Sequence, residues 1–228
     1  LHDGLLLSAL ALNATQKLVV GTSVLVAFPR SPMITAVAAW DLQRMSAGRF
    51  ELGLGTQIKP NIEKRYSARW DSPVPQLREY MQAMRAIFHT FQTGDRLSFE
   101  GEHYTLTKLQ PFFNPGPIDH PHIPIMAGAV GPAMTKMVGR IADGAITHPT
   151  NTPAEYIEQV YWPRLREGLE QAGREEKDFK LVLGPLCATG KDEEAVAAEW
   201  EKQRNMLGFL FSTPAYWPSL ELFGWQDK

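Results

Sequence analysis

Residues 18–57 constrain the fold more than any other stretch of this chain. An apolar run rich in β-branched residues, Leu18 to Ala27, leads into Arg30-Ser31-Pro32. A helical stretch closed by Ala47-Gly48-Arg49 follows, and then a second apolar run, Phe50 to Leu54, that ends in Gly55-Thr56-Gln57. Two extended runs joined by a helix make a strand, helix, parallel strand unit, since a parallel return needs a crossover of about a dozen residues or more. Polar residues and glycines gather where the strands end, and in α/β folds ligands sit at those carboxyl ends. The segment points to a cofactor-binding enzyme.

The alternation continues along the chain. Leu77, Tyr80, Met81, Met84, Ile87 and Phe88 recur at intervals of three and four and predict a helix over 76–91. Leu97 to Leu106 reads as two short extended pieces around Gly101, a hairpin outside the main repeat. The proline-rich stretch 111–124 has no periodicity and reads as a surface loop. Further strands are expected over Ile123 to Ala127, Gly144 to His148 and Phe179 to Ala188, and helices from Pro132, from Thr152 to about Ala172, and from Lys191 to about Met206. About five core strands alternate with helices, which implies parallel crossovers.

A (β/α)8 barrel needs ~250 residues, and one carrying this hairpin and loop would need more. The chain has 228 and opens on Leu5, Leu6, Ala9, Leu10 and Leu12 at helical spacing, as though inside a helix that follows an earlier strand. The expectation is a single barrel domain over 1–228, with an insertion at about 58–122, incomplete at its amino terminus and also toward its carboxyl terminus. An open dinucleotide-binding sheet is the main alternative. It fits less well, because Gly53-Leu54-Gly55-Thr56-Gln57-Ile58 lacks the third glycine of that fingerprint and runs into Lys59-Pro60.

Composition narrows the function. A formal charge of −2 gives no bulk attraction to nucleic acid or to anionic membranes, and neither is expected as a partner. No apolar run approaches the ~20 residues that span a bilayer. Cys187, the one cysteine, lies in an apolar run and is expected to be a buried structural thiol in a reducing compartment, the cytoplasm. The six histidines show no metal-ligand spacing, so no metal is expected.

The run Arg30-Ser31-Pro32, Asp41, and Ser46-Ala47-Gly48-Arg49-Phe50-Glu51-Leu52-Gly53-Leu54-Gly55 resembles the signature of the bacterial luciferase-like oxidoreductases. Ala127 to Pro132 and Ala142 to Thr147 are similar to that family's phosphate loop and the strand after it. The resemblance covers about Ala9 to Ala198. It implies a (β/α)8 barrel, usually dimeric, that binds a flavin or the deazaflavin coenzyme F420.

The strand end Gly21-Thr22-Ser23-Val24 resembles the F420-dependent branch, in which a non-proline cis peptide backs the deazaflavin ring; carried over, that bond joins Ser23 and Val24. Thr56 and Gln57 resemble the family's polar contacts to the ring or its side chain, and Thr147 and His148 its contacts to the coenzyme's tail. Gly128, Ala129 and Gly131, with Ala127 and Val130, resemble its phosphate loop, and this assignment has a physical warrant: small residues let backbone N–H groups approach an anion at a helix's positive end. A strand-to-helix turn accounts for these glycines equally, and an ordinary loop position accounts for His148. Arg30, Asp41 and Arg49 are expected to be structural. Tyr66, Trp70, Phe112 and Phe113 are expected either to wall a substrate pocket or to form a satellite core.

The expected activity is hydride transfer between F420 and a small organic substrate, in a homodimer. An FMN-dependent monooxygenase on the same barrel and a non-catalytic cofactor-binding protein are the alternatives. No catalytic residue is assigned, since the strands that carry the family's acid or base have no counterpart here.

Overall fold

The computed structural model describes residues 2–225, which form two compact units: residues 2–128 with 141–144, and residues 129–140 with 145–225. In the first unit, α1 (Gly4–Ala14) begins at Asp3, whose carboxylate accepts the N–H groups of Leu5 and Leu6 that a helix start leaves unpaired. The first apolar run forms two short strands rather than one: β1 (Val20–Gly21) and β2 (Leu25–Val26). The peptide bond between them, Ser23–Val24, is cis.

The next helix, α2 (Pro32–Ser46), starts on a Ser31 cap with proline in its first turn and ends on Ala47 in the left-handed region. It delivers the chain to β3 (Phe50–Gly55), the centre of this unit's sheet, which pairs in parallel with β1 (Val20 opposite Phe50) and β2 (Leu25 opposite Leu54). Between β1 and β2 the backbone leaves the ladder, and the Thr22 side chain replaces it. Its hydroxyl accepts the Gly53 N–H at 3.0 Å and donates to the Gly53 carbonyl at 2.8 Å. Arg49 acts structurally, as expected. Its guanidinium donates to the carbonyls of Ser46, Leu18 and Leu12, which ties α1 and the start of β1 to the end of α2.

Beyond β3 come α3 (Lys59–Lys64) and α4 (Pro73–Thr93), longer at both ends than the periodicity alone predicts. Its buried face is the expected one, with Leu77, Tyr80, Met81, Met84 and Ile87 wholly enclosed. It packs on α2 through Trp40, which stacks on Phe88 and meets Phe91 edge-on. The hairpin is present as β4 (Phe99–Glu100) and β5 (Thr105–Leu106). β6 (Ile125–Gly128) then pairs in parallel on the free side of β3, Leu52 opposite Ile125. Asp143 holds the entry to β6, accepting the Ile125 N–H at 2.7 Å and an Arg85 N–H at 3.0 Å.

Glu79 on α4 is buried and accepts the N–H groups of Glu102 at 3.2 Å and His103 at 2.8 Å, pinning the hairpin to the helix. Burial pushes its carboxyl up, but those N–H groups and the nearby His103 ring outweigh burial and hold it below the ordinary 4.5. A carboxyl depressed in this way contributes stability fully above its unfolded value and loses it as the pH falls through the folded one. Glu79→Gln is therefore expected to destabilise the protein at pH 7 by about 1.5–3 kcal/mol, the range for hydrogen bonds to charged groups. The gap to the unsubstituted protein should close as the pH falls below about 4.5. Thermal melts from pH 7 to pH 3 check this, and a gap independent of pH would refute it.

The second unit contains α5 (Pro132–Ile141), with proline in its first turn as expected, and β7 (Gly144–Ile146), apart from their end residues Ile141 and Gly144, which count with the first. The expected long helix from residue 152 is interrupted. It comprises α6 (Ala154–Tyr156), a π-turn over Ile157–Tyr161, and α7 (Trp162–Gln171). Pro163 has no N–H to give and its ring crowds the carbonyl one turn earlier, which widens the turn before it. β8 (Lys180–Val182) pairs beside β7, Thr147 donating its N–H to the Val182 carbonyl, and it is shorter than the expected 179–188 strand. Gly184 and Pro185 end the strand, so Cys187 lies exposed in the following loop and is not the buried thiol expected from its apolar neighbours. The unit closes with α8 (Glu193–Phe211), extending past the expected Met206, and α9 (Pro218–Phe223).

α5 and α7 approach each other through glycine. A methyl group on Gly168 would stand 2.2 Å from the Lys136 carbonyl oxygen, and one on Gly139 would stand 2.4 Å from that of Leu165.

Candidate functional site

In the first unit the carboxyl ends of β2 and β3 open on a cavity of about 970 Å³. Ser23, Val24 and Gln57, three of the residues expected at the cofactor, line it. Val24 is 38 % exposed there, and the sequence makes room for it. A methyl group on Gly55 would stand 2.4 Å from a Val24 methyl carbon, so only glycine at 55 lets Val24 hold its position. A methyl group on Gly128, at the end of β6, would meet the Val24 side chain at ordinary contact distance. Ala127 is buried beside it, paired with Leu54.

Gln57 adopts a φ of +64° at the end of β3. Its Oε1 accepts the Ile58 N–H at 3.1 Å and the Asn61 side-chain amide at 3.0 Å, which leaves its own Nε2 as a donor at the cavity. The Thr56 hydroxyl instead donates to the Gln57 carbonyl. Arg30 also lines the cavity and forms an ion pair with Asp3. The Leu6 N–H above all, with Arg30, holds the Asp3 carboxyl below its usual range against the effect of burial. Of the aromatic residues, Tyr66 lines this cavity while Trp70 meets Phe28 edge-on. Phe112 and Phe113 pair with each other on the surface. Asp41 is exposed on α2.

The second unit carries the remaining expected residues. Ala129, Val130 and Gly131 lead into α5, and a methyl group on Gly131 would meet open space. The loop is braced by Asn151, whose amide donates to the Ala129 carbonyl at 3.2 Å and whose Oδ1 accepts the His148 N–H at 2.7 Å. The Thr147 hydroxyl is buried and committed within the protein, accepting from the Gly184 N–H at 3.0 Å and pairing with Thr152 at 2.9 Å. The His148 ring stacks on Tyr216, the two planes nearly parallel and the centroids 4.3 Å apart. Burial pushes its pKa below 6.5, and its Nδ1 lies 2.8 Å from the Thr150 hydroxyl. A neutral His148 with Nδ1 accepting carries its proton on Nε2 and so remains a hydrogen-bond donor.

Sequence reasoning missed Gly55 as the residue that seats Val24, Asn151 as the brace, and Tyr216 as the stacking partner. Two glycines one residue apart, Gly53 and Gly55, at the end of β3 were the available signal for the first. The other two depend on contacts between residues distant in sequence. Among the described residues one set of side chains has metal-ligand proximity, Glu79, Glu102 and His103, with ligand atoms within 4.8 Å of one another. The hairpin anchoring described above already uses Glu79.

The family model for luciferase-like monooxygenases matches residues 2–228. The chain belongs to the luciferase-like monooxygenase family. An uncharacterized protein of Mycobacterium tuberculosis is 44% identical over 226 residues, 99% of this chain and 66% of that protein. An F420-dependent glucose-6-phosphate dehydrogenase of Nakamurella multipartita is 37% identical over 181 residues, 79% of this chain and 51% of that protein. The chain thus spans about half to two-thirds of the length of the curated relatives it matches. Among solved structures, a monooxygenase from Streptomyces bottropensis superposes with a TM-score of 0.75 at 18% identity, over 96% of this chain and 66% of its own. The coenzyme F420 dependent tetrahydromethanopterin reductase of Methanopyrus kandleri does so at 0.68 and 23%, over 85% and 57%. At these identities the likeness is one of fold. The fold is the expected α/β type of luciferase-like barrel enzymes, of which this chain covers a part. No helix among the described residues is long and apolar enough to cross a membrane.

Proposed function

We propose that this chain belongs to an F420-dependent oxidoreductase that moves a hydride between the deazaflavin and a small organic substrate. The observation that carries the reading is Val24, exposed to the cavity of the first unit and seated against Gly55. Val24 gives the cavity an apolar surface, and Gln57 offers an amide donor there. The 37% identity to an F420-dependent dehydrogenase favours the deazaflavin over FMN.

The bound coenzyme would supply the hydride chemistry, and the protein would hold and shield it. In this reading Ser23 and Val24 back the ring, and Thr56 and Gln57 meet its polar edge. Within the second unit, Ala129 to Gly131 at the start of α5 and the Nε2–H of His148 have the chemistry of anion contacts.

Titration with F420 and, separately, with FMN tests the reading. F420 is expected to bind with a Kd of about 1 μM or tighter, and FMN about tenfold or more weakly. Gly55→Ala is expected to weaken F420 binding by about tenfold or more, because the added methyl displaces Val24 into the space the ring would take. Tight FMN binding with weak F420 binding would favour the monooxygenase chemistry in the family's name. Binding of neither, or an unaltered F420 affinity in Gly55→Ala, would overturn the assignment of this cavity.

A further inference from the structure

His148 caps a single helical turn, Pro149–Asn151, in the second unit. Its Nδ1 accepts the Thr150 backbone N–H at 3.4 Å and lies 2.8 Å from the Thr150 hydroxyl. A backbone N–H only donates, so Nδ1 is the acceptor of the neutral ring and Nε2 carries the proton. Nε2 makes no hydrogen bond among the described residues, and it is not one of their buried unpartnered atoms, so its N–H stays open to a ligand. Asn151 bridges His148 to the Ala129 carbonyl, which gives the histidine and the loop at the start of α5 one support.

The bonds to Nδ1 hold one edge of the ring and leave its plane free to tilt. A residue distant in sequence sets the plane: the Tyr216 ring lies against the imidazole, the two planes 6° apart. Tyr216 is itself held in place. Its N–H donates to the Thr213 carbonyl at 3.0 Å, the Trp217 N–H to that of Pro214 at 3.1 Å, and the Trp217 indole to that of Phe211 at 2.7 Å, which fastens the turn Pro214–Tyr216 to the end of α8. The Tyr216 ring also covers part of the imidazole, and burial lowers the His148 pKa, so the donor near pH 7 is a neutral ring. A donor whose plane and direction are both fixed loses less freedom when a ligand arrives.

We propose that Tyr216 is a positioning residue for the coenzyme's anionic tail: its ring fixes the plane of the His148 imidazole and with it the direction in which Nε2–H is offered. This role rests on the coenzyme reading, through the place of His148 in it. The contact uses the face of the tyrosine ring and not its hydroxyl.

Calorimetric titration with F420 and with FO, its deazaflavin core without the phosphate and glutamate tail, separates the tail from the ring. Tyr216→Ala is expected to weaken F420 binding about tenfold, near the low end of what a hydrogen bond to a charged group supplies, and to leave FO binding unchanged. Tyr216→Phe keeps the ring face and should bind F420 as the unsubstituted protein does. In a His148→Ala background Tyr216→Ala should have no further effect, because a positioning residue acts only through the group it positions. Four results overturn the role while leaving the coenzyme reading intact: F420 no tighter than FO in the unsubstituted protein, F420 affinity unaltered in Tyr216→Ala, equal weakening of F420 and FO, or additive losses in the double variant. A loss in Tyr216→Phe as large as in Tyr216→Ala overturns it too. If the unsubstituted protein binds neither compound, the coenzyme reading falls and the role of Tyr216 with it. Circular dichroism of each variant checks folding. Should Tyr216→Ala fail to fold, Tyr216→Leu, which keeps apolar bulk without a planar face, takes its place.

Discussion

Thr22→Val is expected to lower the melting temperature by roughly 5–15 °C, although it preserves side-chain shape and adds no polar group. In a parallel sheet the N–H and C=O of one residue point to the same neighbouring strand. For Gly53 that neighbour is the gap between β1 and β2, where the Thr22 hydroxyl serves both groups at 3.0 and 2.8 Å. Thr22 is only 5% exposed, so water does not replace a lost hydroxyl there. Valine would leave a buried donor and a buried acceptor unpaired, each costing ~1–3 kcal/mol. At ~2–4 °C per kcal/mol for a protein of this length, a combined loss of ~3–4 kcal/mol, the middle of that range, gives a fall of the stated size. Thr22→Ser retains the hydroxyl and should recover most of the loss. Thermal melts of the two variants beside the unsubstituted protein provide the measurement. A Thr22→Val melt within a degree or two of the original would show that the backbone of Gly53 finds other partners.

The same threonine shows what the sequence could and could not disclose. A run of ten mostly apolar residues reads as one strand, and the periodicity of the run holds no sign of the interruption at 22–24. The pairing that defines the interruption is with Gly53, thirty-one residues away, and patterns of local spacing do not register such contacts. Resemblance to a family located the special peptide at Ser23–Val24, where the residues themselves left it open. The helical faces were legible because burial repeats every three to four residues: the enclosed side of α4 is the one its periodicity describes. Cys187 misled for the opposite reason. Its neighbours are apolar, but Gly184 and Pro185 end the strand before it, and backbone continuity decides burial more than composition does. In the candidate site, strand ends could be found from where glycine and polar residues cluster. What seats Val24, braces residues 129–131 or stacks on His148 required the folded chain.

Gly168→Ala should cost about 3 kcal/mol and lower the melting temperature by roughly 6–12 °C. The added methyl would lie 2.2 Å from the Lys136 carbonyl oxygen and 3.0 Å from its carbon. That obstacle is backbone in the middle of α5, so relief requires the two helices to separate, and the reciprocal approach of Gly139 to the Leu165 carbonyl would open with them. Helix propensity works the other way. Alanine is favoured over glycine in a helix interior by ~1 kcal/mol, so a net loss at 168 has to exceed that gain. Gly208→Ala isolates the term: residue 208 lies inside α8 with nothing within 4 Å of the added methyl, and there the substitution should stabilise the protein by about 0.5–1 kcal/mol. Opposite signs from one chemical change, read by thermal melting of the two variants, would locate the close contact of α5 and α7 at Gly168. A neutral or stabilising Gly168→Ala would mean that the helices stand further apart than their glycines allow.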